Sequence, residues 1–187
     1  MVHIGVLALQ GDYQKHARSL ERAGAQVSEV RTAAELAAVD GLVIPGGEST
    51  AMLKLLDRES LFEPLREFGS RKPIFGTCAG AILLATKVEN PDQASLGLVD
   101  ISVQRNAYGR QLDSRMTRSE AEGFGTLEAV FIRAPIIRSA GPGVKVLASY
   151  AGDPVLVEEG RHLVATFHPE LSADDRVHAY FLRKVTG

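Results

Sequence analysis

Short strand-like runs at residues 4–9, 27–31, 41–45 and 73–77 each end in a turn, and stretches with helical spacing follow them. Continuous apolar runs alternating with helices predict β–α units on a parallel sheet covered on both faces. The first helix is predicted over residues 12–23, with Asp12 as its cap and Gly24 as its stop. Thr32-Ala33-Ala34-Glu35 has the capping-box pattern and opens a short second helix. Helices are then expected over 48–56 and 60–68, the latter opened by Ser60 with Glu63 three residues on, and over 79–86. In the second half the pattern changes to short, partly alternating runs at 98–103, 126–132, 144–150, 154–158 and 162–167. These predict antiparallel or mixed strands extending the same sheet, before a closing helix over 174–185. The expected fold is therefore α/β, three layers deep, with a mostly parallel but mixed central sheet.

Composition narrows the setting without naming a function. At 187 residues the chain fits one domain, spanning 1–187, with enough length for a proper core. A hydrophobic content of 45%, 24% charged residues and a net charge of −2 describe an ordinary soluble protein with no pull toward nucleic acid. The apolar start lacks a basic segment and runs into Gln10-Gly11-Asp12, so it reads as a buried strand rather than a signal peptide. No apolar run approaches the length of a membrane span. A single cysteine excludes an intrachain disulfide and fits a reducing compartment, so a cytoplasmic protein is expected.

That cysteine, Cys78, carries the chemistry. It sits in Phe75-Gly76-Thr77-Cys78-Ala79-Gly80, where a strand stops and a helix begins at once. Gly76 and Gly80 allow the sharp reversal of a nucleophile elbow, and free N–H groups at the start of the next helix would favour the thiolate. A buried, inert thiol is the competing reading, since cysteine is usually a small hydrophobe. Far along the chain, Phe167-His168-Pro169-Glu170 shifts the balance. Proline cannot continue a ladder, so His168 falls at a strand end, where it could reach a thiol on an adjacent strand. Glu170 could then accept from the other ring nitrogen as the third member of a nucleophile, base and orienter set. Of the other histidines, His3 and His162 read as strand decoration, and His16 and His178 as helix residues with no companion acid. No cysteine pair or histidine spacing predicts a metal site.

A third element is Ile44-Pro45-Gly46-Gly47-Glu48-Ser49. Two glycines between strand and helix let backbone N–H groups approach a ligand, as an oxyanion hole requires; a plain tight turn or a phosphate loop reads equally well from this piece alone. The turns at Gln10-Gly11, Gly46-Gly47 and Gly76-Thr77-Cys78 all fall at the strand C-terminal edge, where such sheets bind ligands.

Pro45-Gly46-Gly47-Glu48-Ser49, Gly76-Thr77-Cys78-Ala79-Gly80 and Phe167-His168-Pro169-Glu170, in this order, resemble the class I, triad-type glutamine amidotransferases and their flavodoxin-like architecture. Ala8-Leu9-Gln10-Gly11, Gln104-Arg105-Asn106-Ala107-Tyr108-Gly109-Arg110-Gln111 and Phe131-Ile132-Arg133-Ala134-Pro135 narrow the resemblance to the glutaminase subunits of pyridoxal 5′-phosphate synthase complexes. Ala81 and Ile82 follow Gly80, where commoner relatives often carry a glutamine that contacts substrate; this argues against the anthranilate, GMP and carbamoyl phosphate branches.

The resemblance implies hydrolysis of the side-chain amide of L-glutamine by Cys78, His168 and Glu170, through a glutamyl thioester. It implies an oxyanion hole at Gly47 and Ala79, and a glutamine site at Gly47, Glu48, Ser49, Arg105, Ile132 and Arg133. No cofactor is implied. The implied partner is a barrel-shaped synthase subunit that uses the ammonia to build pyridoxal 5′-phosphate, and whose docking would complete the oxyanion hole. Arg110, Arg115 and Arg118 read as a solvated or interface cluster. Competing expectations are the glutaminase of another amidotransferase, a γ-glutamyl peptidase or DJ-1-like cysteine hydrolase on the same fold, and a scaffold without catalysis.

Overall fold

A computed structural model of the chain describes residues 1–105, the backbone of 115–121, and 123–187. Its first half is the predicted parallel array. Strands β1 (His3–Leu7), β2 (Gln26–Val30), β3 (Gly41–Ile44) and β4 (Ile74–Thr77) alternate with helices α1 (Tyr13–Arg22), α2 (Ala33–Ala37), α3 (Ser49–Arg58), α4 (Phe62–Arg71) and α5 (Ala79–Leu84). Further along come β5 (Ala85–Glu89), β6 (Val99–Gln104), β7 (Arg115–Ala121), β8 (Gly125–Phe131), β9 (Ile136–Ala140), β10 (Lys145–Tyr150), β11 (Asp153–Glu159) and β12 (His162–Ala165). A 3-10 turn at Pro169–Leu171 and helix α6 (Arg176–Thr186) finish the chain.

The main sheet has nine strands in the order β2-β1-β3-β4-β12-β11-β10-β7-β8. Pairing is parallel from β2 through β12 and antiparallel from β12 outward. Strand alternation divides the core between two faces. Leu42, Ile44, Ile74 and Val164 join one cluster, with Met52 and Leu56 of α3. Val43, Phe75, Leu163 and Ala165 join the other, with Leu20 of α1 and Phe181 of α6. Because β12 returns beside β4 in parallel, with Ala165 opposite Thr77, the end of the late strand meets the start of the elbow.

Three expectations need correction. The strand predicted at 98–103 does not extend the main sheet; β6 pairs with β5 and β9 in a separate three-stranded sheet. Local alternation fixes which residues face a core but not which strand lies alongside. The helix predicted over 79–86 stops at Leu84 and the chain extends into β5, a change no glycine or proline announces. Ser60 does not open α4. With φ of 54° it closes α3, and Leu61 donates back to the Leu56 carbonyl at 2.8 Å, the six-to-one bond of a left-handed helix end. By contrast Thr32 caps α2 as expected, its hydroxyl accepting from the Glu35 N–H at 3.2 Å, although Glu35 reaches back to the Arg31 N–H at 3.1 Å, one residue before the amide a full capping box would engage. Among the described residues no helix is long and apolar enough to cross a membrane.

Candidate active site

Cys78 occupies the bend between β4 and α5 with φ of 51° and ψ of −103°. A side-chain-bearing residue held at positive φ stores about 1–3 kcal/mol, sustained by the packing around it. That packing depends on glycines. A Cβ at Gly76 would lie 2.5 Å from the Gly80 carbonyl oxygen, and one at Gly80 would collide with the Ile44 carbonyl oxygen, so both are needed for α5 to sit against β3 and β4. The Cys78 N–H is tied to the Ala165 carbonyl at 2.9 Å, fixing the elbow to β12. Its sulfur is buried and lies 3.8 Å from the Ile132 carbonyl oxygen.

His168 follows β12 as the sequence predicts, and its N–H donates to the Val130 carbonyl at 2.8 Å. On one side its ring borders Cys78 across Gly46, close enough for the two groups to act on each other's charge. On the other, Nδ1 stands 2.9 Å from Glu170 Oε2, and Glu170 is buried in the 3-10 turn. Burial alone would lower the His168 pKa; the hydrogen bonds and charges of Cys78 and Glu170 outweigh it and push the value up to about 10. The ring is therefore an imidazolium at neutral pH, with its carboxylate partner desolvated beside it.

Gly46 stands between these groups: a Cβ there would lie 2.5 Å from His168 Cε1 and 3.3 Å from Cys78 Cβ. Next to it Gly47 has φ of 139°, and a Cβ there would lie 2.7 Å from the Gln10 amide nitrogen. Gln10 in turn donates to the Glu48 carbonyl at 2.6 Å, and Gly11 packs directly on the Gly46 carbonyl. The three turns at the sheet edge thus meet. Gln10 belongs to this assembly although the sequence marked it only as part of a turn and a motif, with no role of its own.

In front of Cys78 lies a cavity of about 120 Å³ lined by Gly47, Glu48, Ser49, Cys78, Ile82, Arg105, Arg133 and Pro135. Ile82 and Pro135 were named in the sequence only within motifs and not as site residues, their apolar character being shared with the core. Glu48 caps α3, its carboxylate accepting from Thr50 N–H at 3.1 Å and Ala51 N–H at 2.6 Å. Burial would raise its pKa, yet these bonds and the charge of Arg105 leave it lowered. Arg105 is buried and already engaged, donating to Thr50 Oγ1 at 2.9 Å and to Glu48 at 3.4 Å. Ser49 donates to Gln93 at 3.2 Å. Arg133, exposed at the cavity mouth with φ of 46°, has no ion pair among the described residues. Arg110 lies outside the described residues, as do the side chains of Arg115 and Arg118.

The other histidines divide. His3 bonds Ser28 at 2.8 Å, and His162 accepts from the Ile74 N–H at 3.1 Å. His16, read from sequence as lacking a companion acid, in fact lies 3.5 Å from Glu170 and 2.9 Å from His178. Its signal was available: it precedes Leu20 by one helical turn on the buried stripe of α1. Among the described residues no group of three or more His, Cys, Asp or Glu could hold a metal ion.

The profile of the SNO glutamine amidotransferase family matches residues 6–187. A pyridoxal 5′-phosphate synthase subunit PdxT from Solibacter usitatus (strain Ellin6076) is 59% identical, over 99% of this chain and 100% of its own length. Its namesake from Koribacter versatilis (strain Ellin345) is 57% identical, over 97% of this chain and 95% of its own. A crystal structure of a glutamine amidotransferase superposes with a TM-score of 0.92 at 44% identity, covering 98% of this chain and 99% of that one.

Proposed function

The chain belongs to the SNO glutamine amidotransferase family, and we propose that Cys78, His168 and Glu170 are the residues with which it hydrolyses L-glutamine to glutamate and ammonia. The observation that carries this reading is the juxtaposition of a strained, buried Cys78 with His168 across Gly46, the histidine being hydrogen-bonded to the buried Glu170. Relatives at 57% and 59% identity are subunits of pyridoxal 5′-phosphate synthase, so the ammonia is destined for a synthase partner. By the resemblance above, that partner is a barrel subunit.

In the mechanism we infer, glutamine enters the cavity with its side chain toward Cys78. The sulfur attacks the amide carbon and the carbonyl oxygen becomes an oxyanion. It is received by the N–H groups of Gly47 and Ala79; the latter is among the first amides of α5, which have no intrahelical acceptor. Loss of one such donor raises the barrier by about 2.7–4 kcal/mol. His168, charged and oriented by Glu170, gives its proton to the departing nitrogen, because an amide anion is too basic to leave alone. Ammonia departs and a glutamyl thioester remains on Cys78. The now neutral His168 takes a proton from water, whose oxygen attacks the thioester and releases glutamate.

Arg133 is the group we assign to the substrate α-carboxylate. It lines the mouth and is uncommitted among the described residues, whereas Arg105 is held by Glu48 and Thr50. A guanidinium meets a carboxylate with two parallel bonds. Arg105 then acts by fixing Glu48 and the N-terminus of α3. The Gly46-Gly47 turn is the part able to take two backbone states, and synthase docking that sets it would couple glutamine hydrolysis to ammonia use. The test is glutamate release from glutamine, with and without the synthase subunit, for the natural chain and for Cys78→Ala. Release stimulated by the partner and lost with Cys78→Ala is expected; release that survives Cys78→Ala sinks the assignment, and an unstimulated rate sinks the coupling.

A further inference from the structure

A pair of buried histidines stands behind the carboxylate and takes no part in the mechanism above. His16 of α1 and His178 of α6 are both fully buried, and α1 packs against α6 and against the turn carrying Glu170. His16 Nδ1 lies 2.9 Å from His178 Nε2. Its other nitrogen, Nε2, lies 3.3 Å from Thr77 Oγ1 and 3.5 Å from Glu170 Oε1. One edge of the ring therefore faces both the residue before Cys78 and the carboxylate that orients His168.

The proton positions on this pair follow from acceptor chemistry. Glu170 Oε1 is buried without a hydrogen-bond partner among the described residues, and His16 Nε2 faces it at 3.5 Å, the outer edge of hydrogen-bond reach. An ionised carboxylate only accepts, so the nitrogen facing it must carry the hydrogen. His16 Nδ1 is then bare and must accept from the Nε2–H of His178. That leaves His178 Nδ1 bare, and it is the ring nitrogen found buried without a partner among the described residues. Both rings stay neutral: burial, with repulsion from His178 and His168, holds His16 well below its ordinary pKa, and burial lowers His178 to about 4. Neutrality matters, since a charged His16 would compete with His168 for the same carboxylate. At the outer ends of α1 and α6, Arg22 and Asp175 act on His178 in opposite directions and pair with each other at 2.8 Å.

Resting on the assignment of Cys78, His168 and Glu170, we propose that His16 is a positioning residue. Its Nε2–H holds Glu170 Oε1, with the tautomer set by His178, so that Oε2 stays on His168 Nδ1. Simple packing would account for two buried rings, but not for a ring edge shared between the elbow and the carboxylate.

Three variants test this in the full chain assembled with its synthase subunit. His16→Leu keeps neither donor nor acceptor, His16→Gln keeps one of each, and His178→Phe removes the donor to His16 without touching Glu170. The readouts are kcat and KM for glutamine and, in the free chain, the NMR titration of the His168 ring. For His16→Leu the expected result is a kcat about 10–100-fold lower at unchanged KM, the scale of a misplaced catalytic group. The His168 titration should move to lower pH. His178→Phe should shift both in the same direction by less, and His16→Gln should restore both. A folded His16→Leu or His178→Phe with unaltered kcat and titration overturns the proposal, as does His16→Gln matching His16→Leu. If His16→Leu does not fold, His178→Phe decides. Retained turnover in Cys78→Ala would instead overturn the assignment of the nucleophile, while the His168 titration still reads the contact to Glu170.

Discussion

The two sides of Cys78 are built differently. Behind the sulfur, His168, Glu170, Thr77 and His16 are packed between strand ends and two helices, with Glu170 and His16 nearly inaccessible to solvent. In front of it, the cavity is bordered by turns and by an exposed Arg133 with no ion pair among the described residues. In the proposed mechanism the buried side holds the reacting groups in place before substrate arrives, as electrostatic preorganisation requires. The open side supplies recognition and remains adjustable, the usual division between a rigid scaffold and its loops. Changes behind the sulfur should therefore act on kcat, and changes in front of it on KM.

The largest effect is expected from Glu170→Gln. It keeps the side chain's shape but loses the charge that holds His168 as an imidazolium, and kcat should fall about 10³–10⁴-fold, as when a triad acid becomes an amide. Steady-state glutamate release with the synthase subunit measures it; a loss under tenfold would contradict the orienting role. Next comes Gly46→Ala. Its methyl would lie 2.5 Å from His168 Cε1, so the ring must shift, and a kcat loss of about 10²-fold is expected from displacement alone. Gly152→Ala, which strains a turn at φ of 85° without any steric clash, is the control for general backbone damage.

Arg133→Ala tests the other side. Losing a charge-assisted pair to the substrate carboxylate should raise KM about 10–100-fold with kcat nearly unchanged. A drop in kcat at constant KM would erase the division drawn here.

The smallest effect is on stability. Burial holds His162 and His178 neutral with pKa values lowered to about 4, and it holds His16 well below its ordinary value, whereas in the unfolded chain they titrate near 6.5. Between those limits the unfolded state binds more protons, so stability is fully present above pH 6.5 and is lost as pH falls toward 4 and below. His162 and His178 can contribute up to about 3 kcal/mol each. His168 works in the opposite direction, its contribution declining from pH 6.5 to 10. Thermal unfolding across pH should show the steeper acid loss relieved in His178→Phe.

The same two sides differ in how far the sequence reveals them. Cys78, His168 and Glu170 were legible because each lies at a break in pattern: glycines around a thiol, and a proline after a strand. The parallel order was legible from apolar runs separated by helices. His16 was legible only as a buried position on the α1 stripe; its contact with Glu170 was not, because that residue lies 154 positions on in sequence. The small second sheet escaped for a related reason, since the alternation in β6 says which face is buried and nothing about β5 and β9 as neighbours. Arg105 was legible as a cation, but its commitment to Glu48 and Thr50 depends on tertiary placement.

The central claim is that Cys78 attacks glutamine and carries the acyl group. Rapid quenching of the complex during turnover, followed by mass mapping of its peptides, tests it most directly. A glutamyl group on the peptide containing Cys78, formed with glutamine and abolished by Cys78→Ala, is the predicted result. Full turnover with Cys78 chemically unmodified at every time point, or an adduct elsewhere on the chain, would contradict it.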